Sequence, residues 1–163
     1  MKTIFLILTI GLYLLSLNVS AEVYISVLDA TRQIFPDYEE YEVESYLLDN
    51  QEFKVYTVLK NNEVIGWTVV IDEKGKIQPI TFLVGIGKQG KVLDVYVLEF
   101  RDLFGSEIKR RSFLRQFRSK SLKDSILVGR DIDAVTQATF SSQAAAQAVR
   151  KSLRVVGEVL KGF

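Results

Sequence analysis

Asp133-Ala134-Val135-Thr136-Gln137-Ala138-Thr139-Phe140-Ser141-Ser142 gathers hydroxyl side chains around one short turn, directly ahead of an alanine-rich run. From spacing alone this is the start of a helix, with Ser141 or Ser142 as the capping residue. The first turn of such a helix carries unpaired N–H groups and the positive end of the helix dipole, so an anion is favoured there. The helix predicted from this start runs from Ser141 or Ser142 to about Leu160. Ala145, Ala148, Val149, Leu153, Val156 and Leu160 form its apolar face at helical spacing. The alanines favour helix and allow its backbone to approach a packing partner closely.

Upstream of this turn the periodicity changes to that of strands. Ile77 to Ile86 and Val92 to Phe100 flank Gly87-Lys88-Gln89-Gly90-Lys91, which predicts a hairpin of two partly buried strands. Tyr41 to Leu48, Phe53 to Leu59 and Val64 to Ile71 read as further strands, punctuated by Asn61-Asn62 and by Asp72-Glu73-Lys74-Gly75-Lys76. Glu22 to Phe35 reads as a first helix stopped by Pro36-Asp37. Glu107 to Phe117 reads as a short helix anchored by Ile108, Phe113, Leu114 and Phe117, with Arg110, Arg111 and Arg115 facing solvent or an anionic partner. The order predicts an α+β fold: an antiparallel meandering sheet packed with helices.

At the N-terminus, Lys2 precedes an uncharged apolar run from Thr3 to Leu17, followed by Asn18-Val19-Ser20-Ala21. This reads as a secretory signal over residues 1–21, cleaved near Ala21-Glu22. The alternative, an uncleaved anchor, is disfavoured because the run falls short of the roughly 20 residues of a comfortable span. Residues 22–163 suit a single domain, located in the periplasm or secreted after cleavage. With Lys2 gone the basic and acidic side chains balance, leaving no field to draw in nucleic acid.

The chain contains neither cysteine nor histidine. Disulfides, c-type haem, the usual zinc, copper and iron–sulfur sites, and Ser-His-Asp or Cys-His catalysis are therefore excluded; no metal-ligating set and no catalytic residue is assigned. Any redox chemistry has to come from an organic cofactor. Glu39, Glu40, Glu42 and Glu44 are expected to be a solvated edge, with strand alternation separating their side chains.

The run from Asp133 to Ser142 resembles the acceptor motif of bacterial FMN-binding domains, including the flavin-carrying subunits of the Rnf and Na+-pumping quinone reductase complexes. That motif reads Asp, two variable residues, Ser or Thr, Gly, Ala, Thr and a hydroxyl-rich continuation. Asp133, Thr136, Ala138, Thr139, Ser141 and Ser142 match it in order, and Gln137 stands where the family usually has glycine. Ile80 to Val97 resembles the family's central hairpin, and Arg101 to Ile108 stands where relatives have a glycine-rich loop. The resemblance, spanning about residues 60 to 155, implies FMN attached through its phosphate to Thr139 by a flavin transferase that uses FAD and a divalent metal.

In that reading Asp133 is a recognition residue, Thr136 bonds the phosphate or the turn, Ala138 leaves room beside the linkage, and Gln137 hinders the turn if a positive φ is needed. Phe104 is a candidate contact for the isoalloxazine ring, with Gly105 allowing close approach, and Arg130 a candidate support for the phosphate. Trp67 and Tyr96 read as sheet packing. The function implied is an exported flavoprotein relaying electrons to a membrane or periplasmic redox protein. The alternatives are an envelope accessory protein that binds FMN non-covalently or not at all, and a flavin-dependent oxidoreductase with its own substrate.

Overall fold

The computed structural model describes residues 22–162, so the expected signal segment lies outside the described residues. Six strands form one antiparallel sheet: β1 (Glu22–Val23), β2 (Glu40–Leu48), β3 (Gln51–Lys60), β4 (Glu63–Lys74), β5 (Pro79–Gly87) and β6 (Val92–Phe100). Their order across the sheet is β1-β6-β5-β4-β3-β2, a meander from β2 to β6 with β1 closing onto the β6 edge. The α+β fold expected from the sequence is the one observed.

The first helix is shorter than its periodicity suggested. Glu22 and Val23 pair with Phe100 and Glu99 as β1, and α1 covers only Val27–Ile34. Ser26 explains the late start: its Oγ accepts the Asp29 N–H at 3.1 Å and so caps α1. The helix lies across the sheet with Ala30 buried against Leu83 and Leu98. Two glycines admit it, because a Cβ on Gly66 would stand 2.5 Å from the Phe35 ring and one on Gly85 2.7 Å from Ile34.

The opposite face is covered by α3, which runs Thr139–Arg154 and continues as one π turn, Val155–Val159. Ala144, Ala145, Ala148 and Val149 pack there in the same cluster as Phe82, Val84, Ile86, Val69 and Val95. With a helix on each face, β5 is buried along almost its whole length, which is why its sequence is a continuous apolar run rather than an alternating one. At about 1.5–3 kcal/mol per large apolar side chain, this core outweighs any single polar contact in the protein.

Two carboxylates inside the structure tie the helices to the sheet. Glu73 on β4, almost fully buried, receives Lys151 Nζ of α3 at 2.6 Å, and Gln51 joins them. Asp94 on β6 receives Arg111 at 2.5 Å, Arg118 at 2.6 Å and the Val95 N–H at 2.8 Å. Burial works against the ionised Asp94, but Arg118, the Val95 N–H and Arg111 outweigh it and hold its pKa below the usual carboxylate range. Arg111 is thus an internal tether, with its guanidinium over the Tyr96 ring, and does not face a partner as expected. The segment it anchors is broken into a 3-10 turn at Ser106–Lys109, the one-turn α2 at Arg111–Leu114 and a second 3-10 turn at Arg115–Phe117. Ile108, Phe113, Leu114 and Phe117 are all buried, as the anchoring pattern predicted.

On β2, Glu40, Glu42 and Glu44 are exposed, as expected of a solvated edge. Their expected separation does not hold: residues two apart share one face of a strand, and their partners Leu59, Thr57 and Val55 follow the same spacing on β3.

Candidate functional site

The residues of the acceptor-like run meet at the start of α3. Thr139, not Ser141 or Ser142, is its first residue, preceded by Ala138, and no side chain caps the helix. Ser141 and Ser142 lie buried in the first turn and have other duties. The Ser142 hydroxyl accepts the Val135 N–H at 3.1 Å and donates to the Ala138 carbonyl at 2.9 Å. Ser141 Oγ makes a long bond, 3.4 Å, to the Phe104 carbonyl. Thr139 is exposed.

Val135 to Ala138 form a four-residue turn, closed by the Ala138 N–H on the Val135 carbonyl at 2.9 Å. Its third residue, Gln137, has φ +65°, the left-handed region where a side chain is strained and glycine is favoured. Gln116 holds the base of the turn. Its amide accepts the Asp133 N–H at 2.8 Å and donates to the Asp133 carbonyl at 3.2 Å. The Asp133 and Thr136 side chains are exposed, and Ala138 is buried beneath Thr139.

A second loop packs against this turn. Gly105, at φ +86°, lies so close to α3 that a Cβ there would stand 2.2 Å from Ser141 Oγ and 3.4 Å from Ala138 Cβ. Asp102 fixes the loop by accepting the Leu103 N–H at 2.7 Å and the Ile77 N–H at 2.9 Å. Although burial acts to raise its pKa, these backbone N–H donors bring it below the usual value. Phe104 is left half exposed, its ring facing Lys76 Nζ at 4.6 Å. Phe104, Gly105, Ala138, Ser141 and Ser142 therefore come together, although they lie far apart in the chain.

Arg130 is not joined to this group by any hydrogen bond of its side chain among the described residues; it is exposed on a separate turn. That turn is organised by Asp131, which accepts the Leu127 N–H at 2.7 Å, the Ile126 N–H at 2.9 Å and Lys120 Nζ at 3.1 Å. The Leu127 N–H leads the groups that lower the Asp131 pKa to about 2. Arg101 is also engaged elsewhere, with Glu99, Asp72 and the Thr81 hydroxyl. Gln116, Asp102 and Asp131 were not singled out in the sequence. Only Asp131, directly after Gly129-Arg130, carried a local signal, that of an aspartate capturing neighbouring N–H groups in a turn.

Chemically, the start of α3 offers an exposed hydroxyl, free first-turn N–H donors, and no acidic side chain in that turn. That combination suits a phosphate ester. Residues 75–154, which include the Phe104 loop, the turn and most of α3, match the FMN-binding domain family. The stretch belongs to that family, and the protein carries an FMN-binding domain. Among curated proteins, it is similar to one component of the proton-translocating ferredoxin:NAD(+) oxidoreductase complex of Clostridium ljungdahlii. The two are 29% identical over 109 residues, covering 62% of this chain and 58% of that component. No helix among the described residues is long and apolar enough to cross a membrane.

Proposed function

We propose that residues 22–163 form one exported domain in which FMN, esterified through its phosphate to Thr139, relays electrons between redox partners at or near a membrane. The observation that carries this reading is the position of Thr139: exposed, first in α3, and without a capping side chain above it. The residues fit the group. A phosphate on Thr139 Oγ1 would be held by the first-turn N–H donors, and the first turn contains no carboxylate to repel it. Ser142 holds the turn from below, Gly105 lets the neighbouring loop close against it, and exposed Asp133 and Thr136 are free to be recognised by a modifying enzyme.

Attachment forms a bond from Thr139 Oγ1 to the phosphorus of the FMN half of FAD and breaks the pyrophosphate bond. AMP leaves, and the hydroxyl proton goes to solvent or a base of the transferase. Once bound, the ring supplies one- or two-electron chemistry that no side chain of this chain provides. The likeness to a component of an oxidoreductase complex supports a membrane-associated redox protein as partner, and the Thr3–Leu17 run supports export.

The test is co-expression with an active FAD-dependent flavin transferase, followed by intact mass. The wild-type chain should gain the mass of FMN minus water, and Thr139→Val should gain nothing. A wild-type chain left unmodified by a transferase that labels a control substrate refutes the reading. One observation favours a second reading, a domain that binds FMN non-covalently or has lost it: Gln137 occupies the left-handed position of the turn. In that case wild type stays unmodified and Gln137→Gly restores labelling.

A further inference from the structure

The two edges of the sheet differ. The β6 edge is closed. β1 pairs with its end at Phe100 and Glu99, the Val92 N–H donates to the Lys120 carbonyl and the Ser119 N–H to the Val92 carbonyl, each at 2.8 Å, and Arg111 donates to the Val95 carbonyl at 2.9 Å. The β2 edge is open. β2 pairs with β3 along its whole length without a bulge, and no strand lies on its other side among the described residues. Every second residue of such a strand turns its backbone N–H and C=O away from the sheet, toward a further strand.

This edge is also preformed. Tyr46 and Leu48 pack on the main core, the Tyr41 ring meets that of Tyr56 on β3 with centroids 5.6 Å apart, and Arg154 of α3 bonds Asp49 in the β2–β3 turn at 2.9 Å. Its side chains divide by face. Tyr41, Val43 and Leu47 lie on the α1 side, in register with Val58, Tyr56 and Glu52 of β3. All three are exposed, Val43 at 46% and Leu47 at 72%. Glu40, Glu42 and Glu44 lie exposed on the α3 side, with no basic residue in the strand to answer them.

A row of like charge beside an apolar row selects what pairs here. A second copy added antiparallel with the same face up sets glutamate against glutamate. Centred on Glu42, it places Glu40 opposite Glu44, and like charges directly opposite are destabilising. A strand that alternates lysine or arginine with apolar residues instead meets the glutamates with its cations, and Tyr41, Val43 and Leu47 with its apolar side chains. We propose that β2 is a docking edge for an extended segment of another protein in which basic and apolar residues alternate, added to the sheet as a further strand. The edge stands apart from the acceptor turn, because the end of α3 that touches the β2–β3 turn lies about 22 Å along the helix from Thr139. A partner held there leaves Thr139 open, and the docking does not depend on what Thr139 carries.

The full, unmodified chain is titrated with three synthetic peptides of equal length. One alternates lysine with valine, one has glutamate in place of lysine, and one has the same lysines and valines in two separate blocks. Binding is measured by calorimetry and located by amide hydrogen exchange. The alternating lysine peptide should bind and slow exchange of the outward N–H groups of β2 at least about tenfold, and the other two should bind at least about tenfold more weakly, since their cross-strand pairs are reversed or lost. Glu40→Lys together with Glu42→Lys, both at exposed positions, should lose the lysine peptide and bind the glutamate one. Equal binding of the blocked peptide shows charge attraction without strand pairing and overturns the proposal. So do the absence of binding, protection that falls outside β2, and a wild-type chain that dimerises with β2 protected when no peptide is present.

Discussion

Two turns of this protein, close together in the chain, solve the same backbone problem in opposite ways. The turn around residues 126–132 places Ile126 at φ +47° and Gly129 at φ +84°; the turn at residues 135–138 places Gln137 at φ +65°. A β-branched residue with positive φ is the more strained of the two non-glycine cases, yet Ile126 is buried and its N–H is bound by Asp131. That turn carries its own anion, which gathers two backbone N–H groups and Lys120. The second turn, held by Ser142, Gln116 and a single turn bond, leads into a helix with neither an acidic residue nor a capping side chain. The comparison separates a closed, self-neutralised loop from one whose donors are left for an anion from outside.

The largest effect expected from breaking this contrast is at Asp131. Asp131→Ala leaves the Ile126 and Leu127 N–H groups unpaired and releases a strained backbone, so stability should fall by about 3 kcal/mol in urea unfolding. The same residue sets a pH signature. Its folded pKa, about 2, lies below the ordinary value of about 4. Its stabilising contribution is therefore complete above about pH 4 and is lost as the pH falls through about 2. A wild-type stability profile in that window should be steeper than that of Asp131→Ala.

Next in size is Gly105→Ala. The left-handed φ costs about 1–2 kcal/mol for any side chain, and the new Cβ has to displace Ser141, which stands on the first turn of α3. A loss of about 2 kcal/mol is expected, together with a lower yield of modified protein, because the displaced group stands in the same helical turn as Thr139. Unchanged labelling at reduced stability would separate the loop from the acceptor turn.

How much of this was legible in the sequence follows from the range of the forces involved. The meander was readable because turn residues and strand periodicity are local, but β5 was expected to be only partly buried, since its burial on both faces depends on helices brought to it by the fold. The start of α1 was missed because the pairing of Glu22 and Val23 with β6 is a contact between residues far apart in the chain. Ser141 and Ser142 were read as caps for the same reason: their composition is that of a cap, and only the approach of Phe104 and the fold-back of Val135 give them other partners. Arg111 looked like a surface charge until the fold set Asp94 beside it. At the acceptor turn the residue types were legible, but the exposure of Thr139 and its place as first residue of α3 go with the burial of both serines, which long-range packing decides.

Ser142→Ala probes the open turn directly. It removes the bond to the Val135 N–H and the one to the Ala138 carbonyl while leaving Thr139 in place, and should cost about 1 kcal/mol. If labelling by the transferase falls more than this loss of stability explains, the enzyme recognises the shape of the turn; if it does not, Asp133 and Thr136 suffice.

The smallest expected effect has the opposite sign. Gln137 is exposed and held at φ +65°, so Gln137→Gly removes left-handed strain at the expense of greater backbone freedom in the unfolded chain. The two partly cancel, and the net gain should be under about 1 kcal/mol, a rise of a few degrees in Tm at most. The informative readout is the rate of flavin transfer. A transferase that must bend the turn to reach Thr139 gains from the glycine, and labelling accelerates although stability barely moves. If the rate is unchanged, the glutamine is already held in the conformation the enzyme needs, and the open turn is preorganised by Ser142 and Gln116 alone.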